Sequence, residues 1–194
     1  MISLIFAGAV LLGEYLPELQ PGFAKVFERV VSERLAEIAG KLKNLPFWLW
    51  IIEIWLNNVM ASFTAVFLGL LCPVFSLLIL MENGMIMGLF QRKMELLGLR
   101  ANHYYLGLIP HGIFEIPAFF IAVMMGMQLG IAIYRLIGRH LKGKGSDPFF
   151  QELFRGIKDY LWQKGRYYAG LIAILLSVAA VLEVTVSPIL LRLK

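Results

Sequence analysis

Glu53, Glu82, Glu115 and Glu183 interrupt long apolar runs of the sequence, and Asn57, Asn58, Asn83 and His111 join them there. An ionised carboxylate is expensive inside a bilayer, so such groups face the interior of a helix bundle and find a partner. Every Lys and Arg falls outside the apolar runs, which leaves His111 as the one intramembrane base. The acids must therefore be neutral, hydrated or compensated by a bound cation. His111 and Glu115 stand at i and i+4, a spacing that lets one helix face present both to a single metal ion or proton. They are the candidate metal ligands. The pattern is half of a His-Glu-xx-His metalloprotease helix, but the second His and the accompanying Glu are missing. A hydrolytic zinc site would have to borrow Glu82 or Glu183, so the reading is of a protein that is not an enzyme. No cofactor is expected beyond a bound cation of unknown identity. For the asparagines, plain hydrogen bonding between helices is an equally good account. Met85, Met87, Met124, Met125 and Met127 read as adaptable packing, not soft-metal ligands, and a single cysteine, Cys72, excludes an internal disulfide.

The elements that must position these residues are membrane helices. Of 194 residues, 59% are hydrophobic and 16% charged, with a mean hydropathy of +0.75. A soluble domain has roughly a quarter charged residues; this chain has too few polar side chains to cover a core, and its apolar excess must face lipid. The whole chain, 1–194, reads as one integral membrane domain. Ile2 to Leu16 is short and apolar, lacks the basic start and cleavage site of a secretory signal, and is expected to be a first membrane helix. Over residues 22–44, Phe23, Val26, Phe27, Val30 and Val31 recur at helical spacing opposite Lys25, Glu28, Arg29 and Glu33. That pattern predicts an amphipathic helix lying in the interface. Phe47 to Phe90 is too long for one crossing and fits two, broken near Pro73. Two further spans are expected at about 104–134 and 167–191. Between them, about 136–165 reads as a polar loop containing Gly143-Lys144-Gly145-Ser146-Asp147-Pro148.

The fold class is thus all-α, a polytopic membrane bundle of about five transmembrane helices plus one interfacial amphipathic helix. Eight of the 18 basic residues lie between Arg135 and Arg166, which puts that loop in the cytoplasm by the positive-inside rule. The net charge of +5 then reports orientation, not nucleic-acid binding. Five crossings bring Asn57, Glu82, His111 with Glu115, and Glu183 to comparable depth, whereas four would scatter them. Small and polar residues also line up, as Gly107, His111, Glu115, Ala118, Ala122 and Gly126 on one helix and Ala173, Ser177, Ala180, Glu183 and Ser187 on another. Close helix approach is expected at Gly84-xxx-Gly88 and Gly126-xxx-Gly130. The expected intramembrane polar site comprises Asn57, Asn58, Glu82, Asn83, Gly84, His111, Gly112, Glu115 and Glu183.

At Asn57-Asn58, Glu82-Asn83-Gly84-xxx-Gly88, Pro110-His111-Gly112-Ile113-Phe114-Glu115-Ile116-Pro117-Ala118 and Leu182-Glu183-xxxx-Pro188, the sequence resembles the stage II sporulation protein M family. The resemblance implies a multi-helix membrane protein of bacteria or archaea. The family's named member is a non-enzymatic membrane component that acts with peptidoglycan-degrading partners during engulfment. The form with His111 and Glu115 looks like the widespread branch and not the sporulation-dedicated one. Two functions are expected on these grounds. One is a scaffold in the cell membrane that recruits membrane-protein partners or a second copy. The other is a cation or proton channel or transporter built on the Glu, His and Asn cluster.

Overall fold

The computed structural model describes residues 1–43, 45–96, 101–145 and 147–187. They form α1 (Ile2–Leu19), α2 (Pro21–Lys43), α3 (Phe47–Leu71), α4 (Pro73–Leu96), α5 (Ala101–Leu141), α6 (Phe149–Tyr160), a π-helical turn (Leu161–Gly165) and α7 (Arg166–Thr185). No strand occurs among the described residues. Among the described residues, five helical stretches are long and apolar enough to cross a membrane: 2–19, 47–71, 73–96, 107–141 and 149–185.

Helix directions follow from which residues touch. A β-carbon built on Gly84 would lie 2.8 Å from that of Ala9, one on Gly88 would meet the Val10 carbonyl and the Glu14 amide, and Arg92 reaches Glu18 at 2.5 Å. Numbers rise together along both helices, so α1 and α4 run parallel. Gly126 faces Ala65 and Gly130 faces Gly69, which makes α3 and α5 parallel as well. Cys72 is an extended residue between α3 and α4, and Pro73, which lacks an N–H, starts the returning helix. Across this hairpin the Ser76 hydroxyl donates to the Ala65 carbonyl at 2.7 Å, fully buried. The end of α1 and the start of α3 therefore share one end of the bundle, and α2 connects them there without crossing. The N-terminus and the 142–148 connection lie at the opposite end. This is the five-crossing arrangement.

The glycines make close approach possible. Gly13, Gly69, Gly84, Gly88, Gly126 and Gly130 all lie where an added β-carbon would collide with a neighbouring helix. In lipid, helices gain little from the hydrophobic effect, so such backbone-to-backbone packing carries the association. Phe6, Ala65, Leu80, Phe119 and Val123 form the buried centre of α1, α3, α4 and α5. Helix α2 buries Ala24 and Val31 but leaves Phe23, Val26 and Val30 exposed, an apolar face suited to an interface. Its Glu28 is paired with Lys93 of α4 at 2.6 Å.

Three expectations need correction. The stretch 136–165 is mostly helical, with 142–145, 147 and 148 the only described residues in it that lack helix. Helix α5 runs to Leu141 and stops before Gly143, whose φ of +66° suits a glycine. Phe149, Leu153 and Ile157 then recur at helical spacing and place α6 against α5, where His140 and Arg139 both reach Glu152. The polar composition hid this periodicity. Ser177 does not face the bundle; it is exposed and its hydroxyl donates back to the Ala173 carbonyl at 2.7 Å. The buried ridge of α7 is Leu176, Ala179, Ala180 and Val184. Gly84 departs from the expected site, as described next.

Candidate functional site

Helix α5 holds His111 and Glu115 four residues apart, and the antiparallel α7 holds Glu183, with Ser187 four residues further on, just past the helix end at Thr185. The spacing repeats in both, so the two pairs meet face to face. One ligand atom from each of His111, Glu115 and Glu183 lies within 4.8 Å of the others. His111 is buried, 9% exposed, and its Nδ1 shares a 3.2 Å hydrogen bond with the Ser187 hydroxyl. That bond fixes the ring and leaves Nε2 as the nitrogen available for coordination. Pro110 and Pro117 flank the segment within α5. Lacking N–H groups, they leave the carbonyls four residues earlier without their helical donor, which a membrane helix tolerates where it lines a polar interior.

No ion pair to Glu82, Glu115 or Glu183 occurs among the described residues. The Glu115 and Glu183 carboxylates thus approach each other beside the His111 imidazole, with no Lys or Arg paired to either among the described residues. A cation of matching charge, or protons, must offset their mutual repulsion.

Beside this triad lies a cavity of about 630 Å³ between α3, α4 and α5, with Phe6 of α1, Val30 and Val31 of α2 and Leu176 of α7 in its wall. Its polar lining is Asn57, Asn58, Ser62, Thr64, Glu82, Asn83 and Glu115, and Gly112 also borders it. Glu115 therefore belongs to both triad and cavity. Asn83 Nδ2 donates one N–H to the Ile79 carbonyl of its own helix at 2.9 Å, and its second N–H and its amide oxygen remain for other partners.

The structure thus gathers Asn57, Asn58, Glu82, Asn83, Gly112 and Glu115 around one cavity, and His111, Glu115 and Glu183 around one point. It does not bring Gly84 there. Gly84 is buried against Phe6 and Ala9 of α1 and serves packing. Glu53 is exposed and does not line the cavity. Ser187 stood on the expected small and polar stripe but not among the expected site residues, and Ser62, buried with its hydroxyl unpartnered, was not singled out by the sequence. For Ser187 the signal was its position four residues after Glu183, the mirror of His111 and Glu115. Pro188, the last residue of the motif-bearing segments, lies outside the described residues.

Residues 2–188 match the family model described as Stage II sporulation protein M. The chain belongs to the stage II sporulation protein M family. Comparisons with curated proteins and with solved structures return no match. In this stage II sporulation protein M family member the match takes in every described helix, so the triad and the cavity both lie within the family's own region and not in an appended segment.

Proposed function

We propose that this protein is a non-enzymatic, multi-pass protein of the cell membrane that binds a divalent cation between α5 and α7 and passes it along the bundle. The observation that supports this reading is the meeting of His111, Glu115 and Glu183 within 4.8 Å. An imidazole nitrogen, two carboxylate oxygens and a nearby hydroxyl suit a borderline or hard divalent ion such as Zn²⁺ or Mn²⁺. Charge argues the same way. Two ionised glutamates carry two negative charges, and one divalent ion makes the assembly neutral, which is what a low-dielectric interior favours. Uptake of Mn²⁺ or Zn²⁺ into proteoliposomes tests the proposal. The expected result is flux in the unaltered chain that is lost in Glu115→Gln. Equal flux in both, or none in either, counts against cation passage.

The scaffold reading keeps one specific support. Helix α6 holds Phe150 and Phe154 outward, 68% and 69% exposed, at the end of the bundle where partners in the aqueous phase or the interface would meet it. Stable co-purification of a membrane partner, lost when both are changed to Ser, would favour that role.

A further inference from the structure

We propose that Lys158, Trp162 and Arg166 form, on the exposed face of the helix running from α6 into α7, a seat for the head group of an anionic phospholipid. The lipid belongs to the leaflet at the 142–148 end of the bundle. The inference is independent of whatever occupies the triad, which lies toward the other end of α5 and α7.

The charge of this chain is unevenly spread. Between Arg135 and Arg166 stand eight basic residues and three acids, Asp147, Glu152 and Asp159, a net +5 that equals the net charge of the whole chain. Two of the acids are already answered, Glu152 by Arg139 and His140, and Asp147 by Arg155. Lys158 and Arg166 are exposed and make no ion pair among the described residues. Asp159, without an ion pair among those residues as well, follows Lys158 and so points about 100° away around the helix.

The backbone brings the three side chains into line. Lys158, Trp162 and Arg166 recur every four residues, a step that drifts about 40° in an unbroken α-helix. The turn Leu161–Gly165 is π-helical; its i→i+5 bonding fits an extra residue into the turn and offsets that drift. Arg166 Cζ accordingly lies 5.0 Å from the centre of the Trp162 ring and 4.8 Å from that of Tyr167. Its Nη2 donates to the Tyr167 hydroxyl at 2.9 Å. Two exposed rings thus hold the guanidinium, and its other N–H donors remain for a phosphate, which they match in geometry.

The seat lies at the membrane boundary. The chain reverses at Cys72 between two helices long and apolar enough to cross, and there the Tyr134 hydroxyl donates to the Leu71 carbonyl at 3.2 Å. Tyr160, just before the π-helical turn, donates to Gln128 at 2.9 Å. The turn therefore runs alongside the 128–134 stretch of α5, where the exposed rings of Trp162 and Tyr167 suit an aromatic belt. Past Arg166 the same spacing continues as Gly170, Ile174 and Val178, all exposed. Nothing lies within 4 Å of where a Gly170 β-carbon would be, so an acyl chain can lie along this strip. Lipid covers the exposed face of a membrane-crossing helix, and the charges decide which lipid. A phosphocholine head brings an ammonium of its own, whereas a phosphoglycerol head is a net anion that answers both cations.

Native mass spectrometry of the full chain in detergent, titrated with dioleoylphosphatidylglycerol or dioleoylphosphatidylcholine, tests this. Glycerophosphoglycerol, the head group without chains, is the comparison ligand. The expected result is one phosphatidylglycerol held per chain and preferred over phosphatidylcholine by about twentyfold. That preference should vanish in the double variant Lys158→Gln with Arg166→Gln, since each basic residue is worth about fivefold. Lys142→Gln with Lys144→Gln removes the same charge from the connection and should leave the preference intact. Trp162→Leu keeps both cations and should weaken binding about two- to fivefold, through loss of the ring beneath Arg166. The proposal is overturned if phosphatidylcholine binds as tightly, if Lys158→Gln with Arg166→Gln keeps the preference, if the two double variants lose it alike, or if glycerophosphoglycerol competes as well as the lipid. A disulfide joining two copies through Trp162→Cys, in a chain carrying Cys72→Ala, would also overturn it, because the strip would then be an interface between copies.

Discussion

The His111 ring of α5 and the Ser187 hydroxyl, two residues past the end of α7, share a buried hydrogen bond of 3.2 Å across 76 residues of sequence. It ties the two helices that supply the triad and sets the ring's orientation. Groups that orient a metal-ligating histidine commonly contribute about 10–100-fold to metal affinity. Ser187→Ala should therefore weaken divalent-ion binding by about tenfold or more while the bundle stays folded. Isothermal titration with Zn²⁺, with melting temperature as the control, measures both. Unchanged affinity would show that the ring is held by packing alone.

Gly88 decides whether α1 can dock. A side chain there would run into the Val10 carbonyl and come within 2.6 Å of the Glu14 amide nitrogen. Gly88→Leu should separate α1 from α4, with a stability loss in the range of about 1–3 kcal/mol or more that overpacking causes. Gly170 has nothing within 4 Å of its would-be β-carbon, so Gly170→Ala should be neutral. Thermal unfolding in detergent compares the pair.

Ser76 is the polar clasp of the α3–α4 hairpin. Its hydroxyl is fully buried and donates to Ala65. Ser76→Ala should cost about 0.5–1.5 kcal/mol, the net contribution of one hydrogen bond. The matching change at exposed Thr64→Ala should cost less, because that hydroxyl bonds only within its own helix.

The helix directions place α2 and the 142–148 connection at opposite ends of the bundle. In a chain carrying Cys72→Ala, single cysteines at Glu37 and Lys144 should label from opposite faces of the membrane. Labelling of both from one face would contradict the five-crossing arrangement.

Much of this was legible in the sequence because lipid imposes strict rules on it. Five apolar stretches, the reversal at Pro73 and the amphipathic α2 follow from length, proline chemistry and helical spacing. The i, i+4 pair His111 and Glu115 was visible for the same reason. What stayed hidden depends on rotation about helix axes, which spacing alone does not determine. Gly84 sits beside Glu82 and Asn83 in sequence yet faces α1, about 200° around the helix from Glu82 at roughly 100° per residue. Ser177 fits the small-residue stripe of α7 but turns outward. Ser62 showed no sign of being buried without a partner, since a lone serine in an apolar run is ordinarily satisfied by its own helix. Helix α6 was masked by charges that occupy one face only.

The central claim is that His111, Glu115 and Glu183 together hold one divalent cation. Its most direct test is equilibrium metal binding to the purified full chain, comparing it with His111→Ala, Glu183→Gln and the double variant. One ion per chain is expected, with each single change weakening binding by about 100-fold or more, as loss of a charged or imidazole ligand worth roughly 3 kcal/mol implies. The double variant should bind no ion, with helical content retained throughout. A stoichiometry and affinity that survive the double change would contradict the account.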